Sequence, residues 1–485
     1  MGYMHLSISK IHDALLKGEV TPLELVKESL RLAKSDDNNA FEYICKKEAI
    51  EKVKALDPKK SNNLLYGIPV VIKDNFSTKD IPTTESSNML KDYIPIYSSE
   101  VVTRLENEGA IVIGKSTMDE LAMGGKGTNG HLGITYNPWD KTKTHIVGGS
   151  SSGSAASVSN AIVPFSIGSD TGDSVRKPAS YTGLVGFKPS WGRISRYGLL
   201  PFASSLDHVA YFTRNVKDSA IILNVLAGRD DKDASSSFKP TEDYTAKLEE
   251  TIKGKKIAVI TNIIKQFKNQ KVISAFNKNL HDLRAAGAII EEVDFDINLL
   301  RAVYPTYIII SSAESTSNNA YLDGIKFGHR EPGDTYQEIM MNSRTKGFGV
   351  LAKKRFVIGG YSLLEDNVND LFLRAQKCRR LIVDAFNAIL SEYDAVYCPA
   401  SDGAAPKIEQ KGDYLSDEYL IAENYMAIAN MGGFPSITIP LGFIDGLPFG
   451  GNLTGKPFNE ANLLSIANNV EKITNLKDLT AQECK

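Results

Sequence analysis

Apolar positions along the chain fall into two periods. In "SKIHDALLKGE" (9–19) and "TPLELVKESLRLAKS" (21–35) they recur every three or four residues, the spacing of an amphipathic helix. Thr21 is placed to cap the second helix, and Pro22 takes its first position. The whole of 1–60 reads as helical. In "LLYGIPVVIKDN" a short apolar run, 68–72, reads as a strand that ends at Lys73. The segment "SSEVVTRLENEGAIVIGKSTMDELAMGG" reads as a helix, a break at Gly109, a strand over 110–113 and a short helix. "GKKIAVITN" predicts a strand near 256–260, and "QKVISAFNKNLHDLRAAG" an amphipathic helix closed by Gly287. With the strand in "AIIEEVDFD", 255–296 forms a βαβ unit. A helical stretch spans 335–392. Strands follow in "YDAVYCPAS" and "FPSITIPLG", and a closing helix in "NEANLLSIANNVEKITN". "GRDDKDASSSFKPTEDY", 228–244, is expected to be an exposed loop.

Strands and helices therefore alternate from end to end, with no repeat and no long linker. The expected fold is α/β: one domain over 1–485, with a mixed central sheet covered on both faces by helices. It divides into a helical part, 1–60, a core, 65–200, and the remainder, 250–485.

Composition narrows the class. Of 485 residues, 42% are apolar and 24% charged, enough to bury a sizeable core. A net charge of −2 argues against a chain that holds nucleic acid on its own basic surface. Cys45, Cys378, Cys398 and Cys484 are scattered, with no CxxC and no histidine at metal spacing. That favours a reducing, cytoplasmic setting and no metal site. The first residues are periodic rather than continuously apolar, unlike a signal peptide, and no run of ~18 apolar residues spans a membrane.

The chemistry concentrates in "GGSSSGSAASVSNAIVPFSIGSDTGDSVR", 148–176. A flexible Gly/Ser linker is the bland reading. Against it stand small residues at helical spacing in "SAASVSNAI" and a β-like run in "IVPFSIG", which would deliver "SDTGDS" to a sheet edge. A phosphate-binding loop would need a lysine at the helix start, and none lies between Gly148 and Arg176. "GSSSG", 149–153, fits a nucleophile elbow with Ser151 as nucleophile, "THIV" as its strand, and Asp207 with His208, His281 or His329 as partners. A reading without histidine is also open. Ser174 follows a glycine turn, and a lysine whose pKa is lowered by burial can serve a serine as base. Lys73, at the end of an apolar strand, is the candidate. Alternation sends the adjacent Asp74 to the other side.

Taken together, "GIPVVIKDN", "GGSSSGSAA" and "GSDTGDSVRKPASYTGLVGFKP" resemble the amidase signature family, whose hallmark is a Ser–Ser–Lys triad. "MDELAMGG", "GRISRYGLLPFASSLDHVAYFTRNVKDSA", "SRTKGFG", "KKRFVIGGYSL" and "GGFPSITIPLG" carry the likeness over nearly the whole chain. Within the family it is similar to members that hydrolyse glutamine as one component of a tRNA-dependent amidotransferase. The resemblance implies Ser174 as nucleophile, Ser150 as bridging serine after a cis peptide bond from Gly149, and Lys73 as base. The family's 24-residue interval between its two serines is kept (174 − 150). It implies an oxyanion hole from the amides of Thr171, Gly172, Asp173 and Ser174, with Gly124 also lining the site. It assigns the substrate α-carboxylate to Arg355 and the α-ammonium to Glu423, where the family usually has Asp. It implies no cofactor in this chain. ATP and Mg²⁺ belong to a partner B subunit, a small C subunit wraps the pair, and tRNA is bound mainly by the partner.

Two positions depart from the family pattern: Ser152 and Asp173 stand where glycine is usual. A side chain is costly wherever the backbone needs positive φ. These departures argue for an inactive scaffold as one alternative; a free-standing amidase acting on another small amide is the other. If Asp173 is tolerated, its carboxylate should turn toward Arg176 or Lys177.

Overall fold

The computed structural model describes residues 2–410 and 413–482, so Cys484 lies outside the described residues. Its strands, in chain order, are β1 (Phe41–Ile44), β2 (Pro69–Lys73), β3 (Ile111–Ser116), β4 (Phe165–Asp170), β5 (Val185–Lys188) and β6 (His208–Thr213). They continue with β7 (Lys256–Ile260), β8 (Ile289–Val293), β9 (Ala395–Pro399), β10 (Ser436–Ile444) and β11 (Leu447–Gly455). All eleven join one mixed sheet in the order β1-β3-β2-β4-β6-β5-β10-β11-β9-β7-β8. The βαβ unit is present: β7 and β8 pair in parallel, joined by the helix Gln270–Ala285. No helix of the described residues is long and apolar enough to cross a membrane.

Alternation along β2 divides the core. Val70 and Ile72 face one side, with Ile8 and Ile11 of the helix Ile8–Leu16 and Val102 and Leu105 of Glu100–Asn107. Val71 faces the other, with Val26 and Leu30 of the helix Pro22–Lys34 and Ala155 and Val158 of Ser152–Ser159. The sheet is thus covered on both faces. Thr21 caps its helix through a reciprocal capping box with Glu24, as its place before Pro22 predicts.

Three parts of the pattern read differently in the fold. Residues 1–60 are not all helical: "FEYI" forms the edge strand β1, antiparallel to β3, because the partner strand supplies hydrogen bonds that no local period announces. The chain between 297 and 318, which shows no clear period, is one long helix, Ile297–Asn318, with Pro305 inside it. The glycine-rich stretch Leu447–Gly455 is a central strand, paired with β10 and β9. A Cβ at Gly450 would lie 2.8 Å from the Ile439 carbonyl, so the glycine permits this close pairing. Residues 228–244 contain no helix or strand, as expected of a loop.

Candidate active site

β2 and β4 are parallel neighbours in the sheet, with Ile72 opposite Ile167. Their C-terminal ends therefore lie side by side, and they carry Lys73 and Asp170. Residues 146–172 are buried without exception, which rules out a solvated linker. The Gly149–Ser150 peptide bond is cis.

Lys73 is fully buried. Its Nζ lies 2.8 Å from Ser150 Oγ, 3.0 Å from Ser151 Oγ and 3.0 Å from Ser169 Oγ. Burial lowers its pKa to about 7, against the opposing pull of Asp119, Asp170, Asp207 and Glu85. Asp74 faces away and pairs with Lys115 at 3.2 Å. Proton counting narrows the roles around a neutral Lys73. Ser151 Oγ sends its one hydrogen to the Ser169 carbonyl (3.1 Å), so it accepts from Lys73. Ser169 Oγ accepts from Asn75 Nδ2 at 2.9 Å and can accept from Lys73 as well. Ser150 Oγ has no partner but Lys73 among the described residues, so its one hydrogen is free to reach the Lys73 lone pair.

The turn Thr171–Ser174 follows β4 and leads into the helix Arg176–Thr182. A buried ion pair fixes its shape. Asp170 accepts Arg176 Nη2 at 2.8 Å and Nε at 3.1 Å, and Oδ2 also accepts Val175 N at 3.0 Å. Arg176 Nη2 then donates to the Gly172 carbonyl at 2.7 Å and to Asn430 Oδ1 at 2.6 Å. Thr171 Oγ1 donates to Asp207 Oδ1 at 2.7 Å. The Arg176 charge, with hydrogen bonds from its side chain, holds the Asp170 carboxyl below the usual range in spite of burial. With the carbonyl side of the turn tied down, the amides of Thr171, Gly172, Asp173 and Ser174 meet no protein acceptor among the described residues. Ser174 is 4% exposed, and its hydroxyl makes no protein hydrogen bond among them. Ser151 N donates to the Ser174 carbonyl at 3.2 Å, which ties the two serine segments together.

Neither Ser152 nor Asp173 has positive φ, so the two departures from glycine carry no backbone penalty. Ser152 Oγ is absorbed by Thr135 Oγ1 at 3.1 Å and the Thr117 carbonyl at 3.4 Å. Asp173 does not pair as expected. Arg176 is taken up by Asp170, and Lys177 Nζ donates to Glu423 Oε2 at 3.0 Å and to the Glu423 carbonyl at 3.1 Å. The partly exposed Asp173 carboxylate has no hydrogen-bond partner among the described residues. Burial pushes its pKa up to about 6 in spite of Lys177.

The remaining candidates divide. Arg355, on the helix Val350–Ser362, stands over the Tyr307 ring at 5.9 Å. Tyr307 in turn closes on the nucleophile turn, since a Cβ on Gly172 would lie 3.0 Å from its Cζ. Glu423 is held by Lys177, and its other oxygen accepts Asp402 N at 3.3 Å. Gly124 packs on buried Asp119, whose Cγ would be 2.4 Å from a Cβ there. The elbow geometry is not formed. Thr144–Val147 makes only isolated bridges, and the Ser151 hydroxyl meets Lys73 and Ser169 with no histidine. His208 Nδ1 instead meets the Leu206 carbonyl at 2.7 Å. The pattern of the chain gave no sign of Asn75 or Ser169 as partners of Lys73. Asp170 and Arg176 stand inside the quoted motif, but only their ion pair reveals their part. Tyr307 lies on the helix that has no clear period.

A family model described as Amidase matches residues 24–464. The A subunit of glutamyl-tRNA(Gln) amidotransferase from Pediococcus pentosaceus is 40% identical over 472 residues, which cover 95% of each chain. That of Staphylococcus haemolyticus is 37% identical over 487 residues, 99% of each. Among solved structures, the corresponding A subunit from Thermotoga maritima superposes with a TM-score of 0.80 at 33% identity, covering 97% of this chain and 95% of that one. The peptide amidase of Stenotrophomonas maltophilia gives 0.82 at 25% identity, with 98% of each chain covered.

Proposed function

The chain belongs to the amidase family, and from that premise we propose that it is the glutamine-hydrolysing A subunit of a tRNA-dependent amidotransferase. The observation that carries the chemistry is Lys73: a buried amine near neutrality, surrounded by serine hydroxyls and hydrogen-bonded to no carboxylate. The relatives named as glutamyl-tRNA(Gln) amidotransferase components, matched over nearly full length, support the substrate.

In this reading Ser174 Oγ attacks the side-chain amide carbon of glutamine. Its proton passes to Ser150 Oγ as Ser150 gives its own to Lys73 Nζ. The free amides of the 171–174 turn stabilise the oxyanion. Collapse of the tetrahedral intermediate breaks the C–N bond, and the proton returns through Ser150 to the departing ammonia. Water then cleaves the γ-glutamyl ester by the same relay, releasing glutamate. The ammonia serves a B subunit, which activates Glu-tRNA(Gln) with ATP and Mg²⁺. A C subunit completes a cytoplasmic heterotrimer, and tRNA is held mainly by the partner. The relaxed φ at Ser152 and Asp173 supports a working site over an inactive scaffold.

The test is a glutaminase assay on the chain alone and reconstituted with B- and C-type subunits, with formation of Gln-tRNA(Gln) as the second readout. Glutamine hydrolysis coupled to amidation is expected. Hydrolysis of other small amides in preference to glutamine, with no amidation in the complex, would mark a free-standing amidase instead.

A further inference from the structure

An α-amino acid amide presents two charges beside the amide: a carboxylate and an ammonium. The site holds a cation for the first in Arg355. Glu423, expected to meet the second, is engaged by Lys177 Nζ on one oxygen and by the Asp402 amide on the other. That carboxylate keeps lone pairs for a ligand, but Lys177 already offsets its charge and so weakens its pull on a ligand's ammonium.

Another carboxylate on the same side of the site has no such partner. Asp173 adjoins Ser174, is partly exposed, and makes no side-chain hydrogen bond among the described residues. Its backbone is held, because its carbonyl accepts Lys177 N at 2.9 Å. Two tyrosines mark its surroundings. Burial raises the Tyr307 phenol pKa; Arg355 opposes the rise, and the Asp173 charge adds to it. Tyr419 is raised by burial first, and Asp173 contributes there too. Tyr419 Oη donates to Tyr304 Oη at 3.1 Å, and their rings meet edge to face at 5.1 Å. Tyr307 thus stands between opposite charges: Arg355 over its ring, and Asp173 next to Gly172, against which the ring closes.

We infer that Asp173 binds the substrate α-ammonium, opposite Arg355 and across Tyr307, and so takes the part expected of Glu423. The inference rests on the glutaminase reading. An aspartate in the nucleophile turn then selects α-amino acid amides, and it does so without strain and with its amide still facing the oxyanion.

The experiment compares glutamine with glutaramate, which keeps the amide and carboxylate but lacks the ammonium. The full chain, with its partner subunits, carries Asp173→Asn or Asp173→Gly. The wild type should prefer glutamine. Each variant should raise the KM for glutamine by about tenfold or more and lower kcat/KM for glutamine far more than kcat/KM for glutaramate, so that the preference collapses. In Asp173→Gly, kcat at saturating glutamine should move by less than about tenfold. Equal losses on both substrates, or an intact preference in both variants, would overturn the inference. So would collapse of the preference in Glu423→Gln but not in Asp173→Asn. Absence of glutamine hydrolysis by the wild-type complex would remove the glutaminase reading, and this inference with it.

Discussion

Lys73 Nζ lies 2.8 Å from Ser150 Oγ, and among the described residues no carboxylate is hydrogen-bonded to either atom. The pair joins strand β2 to the Gly/Ser-rich segment 77 residues further on. The amine can lose its proton there because burial disfavours its charged form and no ion pair restores it.

Lys73→Arg keeps a cation in place but cannot deprotonate. Glutaminase activity should fall by about 10²–10⁴-fold, the range for loss of a general base. With ammonium salts in place of glutamine, the complex should still amidate Glu-tRNA(Gln). Glutaminase activity within tenfold of wild type would remove Lys73 from the base role.

The Lys73 pKa of about 7 predicts two pH dependences of definite sign. Activity should decline below about pH 7 as Lys73 takes up its proton. Stability runs with it: between about 7 and the ordinary lysine value of 10.5, the unfolded chain binds a proton that the folded chain does not. Stability therefore rises with pH across that window, by at most about 1.4 kcal/mol per pH unit. Lys73→Met removes this contribution. The urea midpoint of wild type should rise relative to that of Lys73→Met as pH goes from 7 to 10.5. A gap that does not vary with pH would show that Lys73 is charged in the fold.

An electrophilic glutamine analogue should form its ester with Ser174, whose hydroxyl has no protein hydrogen bond among the described residues. Peptide mass spectrometry after trapping reads the site directly. Label on Ser151, which is occupied by Lys73 and Ser169, would revive the elbow arrangement.

Arg176 acts on the turn through the Gly172 carbonyl and the Asp170 carboxylate. Arg176→Met leaves that carboxylate buried and unpaired, which should destabilise the fold by about 3–5 kcal/mol. Arg176→Lys keeps the charge and loses the fork. In that variant kcat should fall more than KM rises, because the oxyanion donors are misplaced while the Arg355 side of the site is untouched. Denaturant midpoints and steady-state kinetics separate the two effects. Full activity in Arg176→Lys would mean that the turn needs no clamp.

Much of the scaffold is local information. The continuous apolar run in "PVVIK" is enough to place Lys73 at the end of a strand buried on both faces, and Thr21–Pro22 is enough to start a helix. Lys73 and Ser174 likewise lie beside signals written in their own neighbours, an apolar strand end and a glycine turn, whereas Ser150 is legible only through the family resemblance. Other features depend on residues far along the chain. β1 is a strand only because β3 pairs with it, and β11 accepts two adjacent glycines because β9 and β10 come close on either side. Glu423 is engaged by Lys177, 246 residues away, and Arg176 reaches Asn430 across 254. Burial and charge pairing are properties of the assembled interior. Only the tertiary structure could leave Lys73 near neutrality, bind Glu423 to a lysine and leave the Asp173 carboxylate with no hydrogen-bond partner among the described residues.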